Sequence, residues 1–215
     1  MSSRSILAEH FQDLEQQYEA GQLAMWIFLI TEILFFGGLF CSYVVYRTLY
    51  PEAWALGSRL NSASLGAAMT GTLLLSSFMM ALAVRSSQLG ERWRLIGCLL
   101  LTILLGLAFL GMKFYEYHHH WEDHLVPGID FSGYHGPQAG QVELFLCFYF
   151  IMTLIHAAHM VVGVGILSTL AVMAWRHRFS EQYYSPVEIS GLYWHFVDII
   201  WIFLFPLLYL VDLHK

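Results

Sequence analysis

The sequence predicts an all-α fold: an integral membrane bundle of five transmembrane helices with a short N-terminal amphipathic helix. Three observations carry that prediction. Apolar residues make up 58% of the chain and charged residues only 12%, against roughly 25% charged in an ordinary soluble domain. The mean hydropathy is +0.58. Five separate runs are each apolar and long enough to cross a hydrocarbon layer, which takes about 20 residues.

Residues 5 to 20 place Leu7, Phe11, Leu14 and Tyr18 four, three and four apart with acids between them, the spacing of a short amphipathic helix. Its acidic face is repelled by anionic headgroups, which favours docking on a partner over lying on lipid. Glu9, Asp13, Glu15 and Glu19 stand where a secretory signal needs an apolar core, so this segment, 1–20, is expected to stay attached to a membrane domain, 21–215.

The first span is MWIFLITEILFFGGLFCSYVVY, and the others run at about Ala63 to Val84, Trp93 to Lys113, Val142 to Trp175 and Gly191 to Leu213. The fourth is long enough that it must tilt or project from the bilayer. The second is dense in Gly, Ala, Ser and Thr, with Ala67 and Gly71 spaced for close helix approach, and is expected in the interior. Gly37 and Gly38, and Gly163 and Gly165, predict further tight crossings. Pro206 removes a backbone bond from the last span and predicts a kink. The stretch Tyr117 to Gln141 is acidic and rich in His, Gly and Pro, and predicts a solvated, irregular loop.

With the N-terminus inside, Arg4, Arg85, Arg92, Arg94, Arg176 and Arg178 fall on the inner side and Arg47, Arg59, Lys113 and Lys215 on the outer. Six against four favours a cytoplasmic N-terminus and a periplasmic C-terminus. A net charge of −6 without a basic run argues against nucleic acid. Cys41, Cys98 and Cys147 lie singly inside apolar runs and read as small core residues rather than disulfide or thiolate partners. Nucleophile triads and phosphate-binding loops are absent from the sequence.

Chemistry is to be sought in the few ionisable residues inside the spans, since a charge there loses several kcal/mol of hydration, about 2.5–3.5 on translocon scales, unless paired or neutral. Glu32 sits near the middle of the first span among Phe28, Leu29, Phe35 and Phe36, and is expected to be protonated or bonded to another helix. His156 and His159 are three apart, on one helical face, and two imidazoles fall short of the three or four ligands of a metal site. They are expected to bond backbone carbonyls or acids on neighbouring helices. His195 and Asp198 are likewise three apart and positioned to bond each other. Consecutive His118, His119 and His120, with His124, Glu116, Glu122 and Asp123 nearby, point in different directions on a helix and read as a solvated end rather than a metal centre. Arg176 and Arg178 beside Trp175 are set to meet phosphate headgroups.

The closing run YWHFVDIIWIFLFPLLYLV resembles the last helix of cytochrome c oxidase subunit III, where a Tyr-Trp-His-Phe-Val-Asp run recurs. GQLAMWIFLITEILFFGGLF resembles the helix that carries this family's membrane-embedded glutamate, at Glu32 here. FIMTLIHAAHMVVGVG resembles its His-x-x-His helix, whose histidines are structural and lipid-adjacent. KFYEY places Glu116 at an aromatic-Glu-Tyr pattern, and Glu188 falls where the family has a glutamate.

The resemblance covers nearly all of residues 20 to 213. It implies a non-catalytic subunit of a respiratory haem-copper terminal oxidase of the cytochrome c oxidase type, in a bacterial cytoplasmic membrane. Such a subunit packs against catalytic subunit I and other oxidase subunits, alone or within a larger respiratory supercomplex. It binds phospholipids and supports proton uptake and oxygen access, with haem and copper in the partner subunits and no metal, cofactor or catalytic residue of its own. Glu32, His156, His159, Arg176 and Arg178 are then candidates for lipid or proton handling, and Glu116, Glu188, His195 and Asp198 are structural polar residues. Longer members have seven helices with a lipid cleft between the first two and the last five; this chain matches the five. That form also occurs in quinol-oxidising relatives and beside nitric oxide reductases, so the electron donor stays open. The competing classes are a haem-binding anchor and an independent ion or solute carrier. Carriers show inverted repeats and broken helices, lacking here apart from Pro206.

Overall fold

The computed structural model describes residues 14–179 and 183–211. Its elements in order are α1 (Leu14–Leu49), α2 (Pro51–Ser58), α3 (Ala63–Gln88), α4 (Arg92–Glu122), the two-residue strands β1 (Leu125–Val126) and β2 (Asp130–Phe131), α5 (Ala139–Trp175) and α6 (Ser185–Tyr209). The five long helices α1, α3, α4, α5 and α6 are each apolar and long enough to cross a membrane. Residues 14–20 continue into α1 without a break, and the earlier part of the expected amphipathic segment, including Leu7 and Phe11, lies outside the described residues.

The hub of the bundle is α6, which packs against α3, α5 and α1 while α4 joins α3 and α5. Half of its apolar window, 50%, is buried, against 11% for α1. What lets the helices close around it is the pairing of small residues with one large one. The Trp194 indole of α6 is wedged between Gly106 of α4 and Gly163 of α5, where an added Cβ would stand 2.8 Å from the ring in each case. Its Nε1–H donates to Ser76 Oγ of α3 at 3.1 Å, and Ser76 donates on to the Thr102 carbonyl of α4 at 3.4 Å. One side chain thus fixes four helices. Gly66 of α3 plays the same part lower down, against Phe205 and Tyr209.

The expected close approach at Ala67 and Gly71 is not formed. Both are exposed, and α3 buries the neighbouring stripe of Gly66, Met69, Leu73, Ser76 and Met80 instead. An added Cβ would meet nothing within 4 Å at Gly37, Gly38, Gly71 or Gly165, so of the predicted crossings only Gly163 is one. Small residues allow an approach without saying which face has a partner. Cys98 and Cys147 are partly buried, whereas Cys41 is exposed rather than in the core.

Along one edge, α1 is held by a single stripe of Leu29, Phe36 and Tyr43. It meets α5 and most of α6 through rings: Phe28 with Tyr193 at 5.9 Å, Phe36 with His159 at 5.7 Å and Phe40 with Phe203 at 6.3 Å between centroids. The Tyr43 hydroxyl donates to the Leu207 carbonyl. The short α2, opened by Pro51 at its first turn where a missing N–H costs nothing, seats Trp54 edge-on against Phe145 at 5.8 Å.

At the end shared by the start of α4 and the finish of α5, Arg92 donates from Nε to the Ala174 carbonyl at 3.0 Å, which also accepts from the His177 N–H at 3.2 Å, and from its guanidinium to the Trp175 carbonyl at the α5 terminus. Exposed Trp93 and Trp175 meet edge to face beside it at 6.1 Å.

The opposite end departs from the expected irregular loop. The helix α4 runs on to Glu122, and β1 and β2 then pair Leu125 with Phe131 and Val126 with Asp130. Gly128, at φ +72°, supplies the left-handed residue of that turn. Asp130 pairs with the His124 ring and accepts from the Ser132 hydroxyl at 2.9 Å. These bonds, His124 first, hold its carboxyl below the usual aspartate range.

Candidate functional site

Glu32 is the polar member of the α1 stripe, and α5 answers it with His159. Glu32 Oε2 lies 3.2 Å from His159 Nε2, with the two side chains 18% and 21% exposed, by proximity rather than by an aligned hydrogen bond. His159 Nδ1 lies 2.9 Å from the Ile155 carbonyl, an acceptor only, so Nδ1 carries hydrogen. In the neutral ring the Nε2 lone pair therefore faces Glu32. One proton placed between the two atoms gives either a carboxylic acid beside an imidazole or a carboxylate beside an imidazolium, so the pair can hold and pass a proton without an unbalanced charge in the bundle.

His156 does not join this pair, although it lies only three residues away. It turns into the core, 1% exposed, with the edge of Phe109 at 5.4 Å and Trp201 at 5.2 Å. Neither ring nitrogen has a hydrogen-bond partner, contrary to the expected bond to a carbonyl or acid. A three-residue step turns a helix by about 60° short of a full circle, enough to send the two imidazoles to different neighbours.

A second polar centre lies beyond His156. Lys113, expected at a helix edge and counted with the outer charges, is 1% exposed. Its Nζ donates to Glu116 Oε2 at 2.7 Å, Tyr149 Oη at 2.9 Å and Tyr209 Oη at 3.0 Å, which uses all three of its hydrogens. Tyr209 in turn donates to Glu116 Oε2 at 2.8 Å, and the Lys113 ammonium lies 4.3 Å from the centre of the Tyr149 ring. The ion pair is thus enclosed by phenols from α5 and α6. Spacing alone could have flagged Lys113 and Glu116 as partners three apart on one helix; the tyrosines from other helices leave no local signal.

The histidine run divides. His118 and His119 are exposed and face Glu122 and Asp123 at 3.6 and 3.3 Å. His120 is buried, bonded through Nδ1 to the Glu116 carbonyl at 2.9 Å and through Nε2 to Asn61 at 3.0 Å. Glu188 accepts from the Tyr18 hydroxyl of α1 at 3.1 Å. His195 and Asp198 do not bond each other: His195 Nδ1 pairs with Ser77 Oγ of α3 at 2.6 Å, and both Asp198 oxygens are buried without a hydrogen-bond partner. Arg176 and Arg178 are exposed just past α5. Among the described residues, no three His, Cys, Asp or Glu side chains are grouped to hold a metal.

Against known families, residues 4–212 match cytochrome c oxidase subunit III. The chain belongs to that family. Among the relatives of this subunit III chain, the "Quinol oxidase subunit 3" of Bacillus subtilis (strain 168) is 30% identical over 203 residues, covering 93% of each chain. The "Probable quinol oxidase subunit 3" of Staphylococcus haemolyticus (strain JCSC1435) is 27% identical over 195 residues, covering 91% of this chain and 90% of its own. Membership and five apolar helices together make this subunit III a multi-pass membrane subunit of a haem-copper terminal oxidase, a complex that contains other subunits.

Proposed function

We propose that this subunit III is an accessory, non-catalytic member of its oxidase, which borders phospholipid along the α1 seam and supports proton uptake by catalytic subunit I, with haem and copper in the partner subunits. The observation that carries this reading is the Glu32–His159 pair, a proton-holding couple in an apolar seam built from side chains. The test is the purified oxidase carrying Glu32→Ala. Its haem spectrum should be unchanged, while activity should decay faster during turnover or proton uptake should slow. Loss of haem signal, or transport by the isolated chain in liposomes, would overturn the reading.

The relatives' names favour quinol over cytochrome c as the electron donor of the complex. Oxidation of a reduced quinol by the purified complex, with reduced cytochrome c inert, is the expected result. The N-terminus is assigned to the cytoplasm of a bacterial cell and the C-terminus to the periplasm. Removing buried Lys113 from the outer charges raises the inner excess, and exposed Arg176 and Arg178 beside Trp93 and Trp175 suit a headgroup layer. Cysteines introduced at Arg178 and in β1–β2 should label from opposite sides.

A further inference from the structure

His120 stands where three elements meet. It occupies the last turn of α4, Asn61 lies in the link between α2 and α3, and Leu208 is in the last turn of α6, just past Pro206. The imidazole and the Asn61 amide join the three in a row. His120 Nδ1 lies 2.9 Å from the Glu116 carbonyl, His120 Nε2 lies 3.0 Å from Asn61 Oδ1, and Asn61 Nδ2 lies 3.1 Å from the Leu208 carbonyl. The Leu208 carbonyl is among the last four of its helix, which lack intrahelical donors, so Asn61 caps α6 from outside.

The hydrogens in this row do not add up for a neutral ring. Both ends are carbonyls, which only accept, so the three contacts need three hydrogens. The Asn61 amide brings one, because its nitrogen faces one neighbour and its oxygen the other, and a neutral imidazole brings one more. In either tautomer, and with the amide turned either way, at least one contact sets two acceptors face to face. An imidazolium carries hydrogen on both nitrogens and completes all three. The charged groups around the ring are of both signs: Glu116 and Asp123 favour an imidazolium, Lys113 and Arg59 oppose it, and Lys113 is already answered by Glu116. The Tyr209 hydroxyl of α6 is taken up by Glu116. Tyr149 of α5 stacks on the ring at 5.2 Å, a face that suits a cation, as do the C-terminal ends of α4 and α6. Although only 4% exposed, His120 lines with Asn61 a cavity of about 630 Å³ at this end of the bundle, which gives a proton a way in from water.

We propose that His120 is a pH-sensitive latch: a second proton on its ring ties the ends of α4 and α6 to the α2–α3 link, and loss of that proton releases one of the three contacts. The part set free is the last turn of α6, beyond the proline that already interrupts its backbone bonding. The latch is separate from the α1 seam and stands or falls without it.

The test is hydrogen exchange of the intact purified oxidase, read by mass spectrometry over residues 207–211 and corrected for the intrinsic pH dependence of amide exchange. Two conditions on either side of the ordinary imidazole value of about 6.5 are compared, about pH 5.5 and about pH 8. Wild type should be about fivefold better protected at the acid condition, the worth of one net hydrogen bond. His120→Gln, which like the neutral ring brings one hydrogen to the row, should show the weaker protection at both. Asn61→Leu removes the acceptor that faces Nε2, so its protection should no longer depend on pH, whereas Glu32→Ala should keep the wild-type dependence. Equal protection of wild type at the two conditions, or a pH dependence that survives in His120→Gln or in Asn61→Leu, would overturn the proposal. The wild-type comparison decides by itself if either variant fails to assemble.

Discussion

Glu32 Oε2 and His159 Nε2 face each other at 3.2 Å between α1 and α5, and the other nitrogen of His159 is committed to the Ile155 carbonyl. The two groups are therefore coupled. Glu32→Ala and His159→Ala should each lower the stability of the α1 contact by about 1–3 kcal/mol, the cost of stranding a buried partner. The double variant should lose less than the sum. Glu32→Gln, whose amide can donate to Nε2, should recover most of the loss. A double-mutant cycle on thermal dissociation of the purified complex measures all four.

Lys113 and Glu116 form a buried ion pair with the ammonium fully satisfied. Lys113→Met alone should destabilise by about 3–5 kcal/mol, because it leaves a carboxylate in an apolar bundle, whereas Lys113→Met with Glu116→Leu should be much closer to wild type. Thermal unfolding of these two variants and of Glu116→Leu alone decides it. Additive losses would mean that the pair is not one unit.

Glycine substitutions should sort by neighbour rather than by sequence pattern. Gly106→Val and Gly163→Val drive a Cβ to 2.8 Å from the Trp194 ring and should cost about 1–3 kcal/mol, as overpacking does. Gly38→Ala and Gly71→Ala meet nothing within 4 Å and should be neutral or slightly stabilising, since alanine is the better helix former. Melting temperatures of the four variants give the comparison.

The β1–β2 hairpin should loosen in acid. Asp130 is held below its ordinary range by His124 and Ser132, so its contribution is fully present above the unfolded aspartate value, about 3.9. It is lost as pH falls further, through the lower folded value. Hydrogen exchange at Val126 and Asp130 should rise in that window, and Asp130→Asn should remove the dependence.

The five spans are legible because apolar runs of sufficient length have few other uses, and Glu32 is legible because a carboxylate in such a run needs a partner. The partner's direction is another matter. His156 and His159 look equivalent in sequence, yet one meets Glu32 and the other is enclosed by Phe109 and Trp201, since the fate of each imidazole depends on which helix lies beside it. Lys113 reads as a helix end because hydropathy falls there, but α4 continues to Glu122 with Tyr149 and Tyr209 closing over the ammonium. Ala67 and Gly71 match a packing pattern without a partner, whereas Trp194 is received by Gly163, one of the predicted crossings, and by Gly106, which was not singled out. His195 and Asp198 share a face, but Ser77 of α3 takes the imidazole first. In each case the missing information is tertiary.

The attachment of α1 has a mechanical outcome. Its hydroxyl at Tyr18 reaches Glu188 near one end, its hydroxyl at Tyr43 reaches Leu207 toward the other, and aromatic rings span the interval. The width of that interval is set by the reach of side chains, as rungs set the distance between two rails. Shortening a rung would draw the two rails together or loosen one from the other, so on this flank of the molecule the choice of side chain sets the helix spacing.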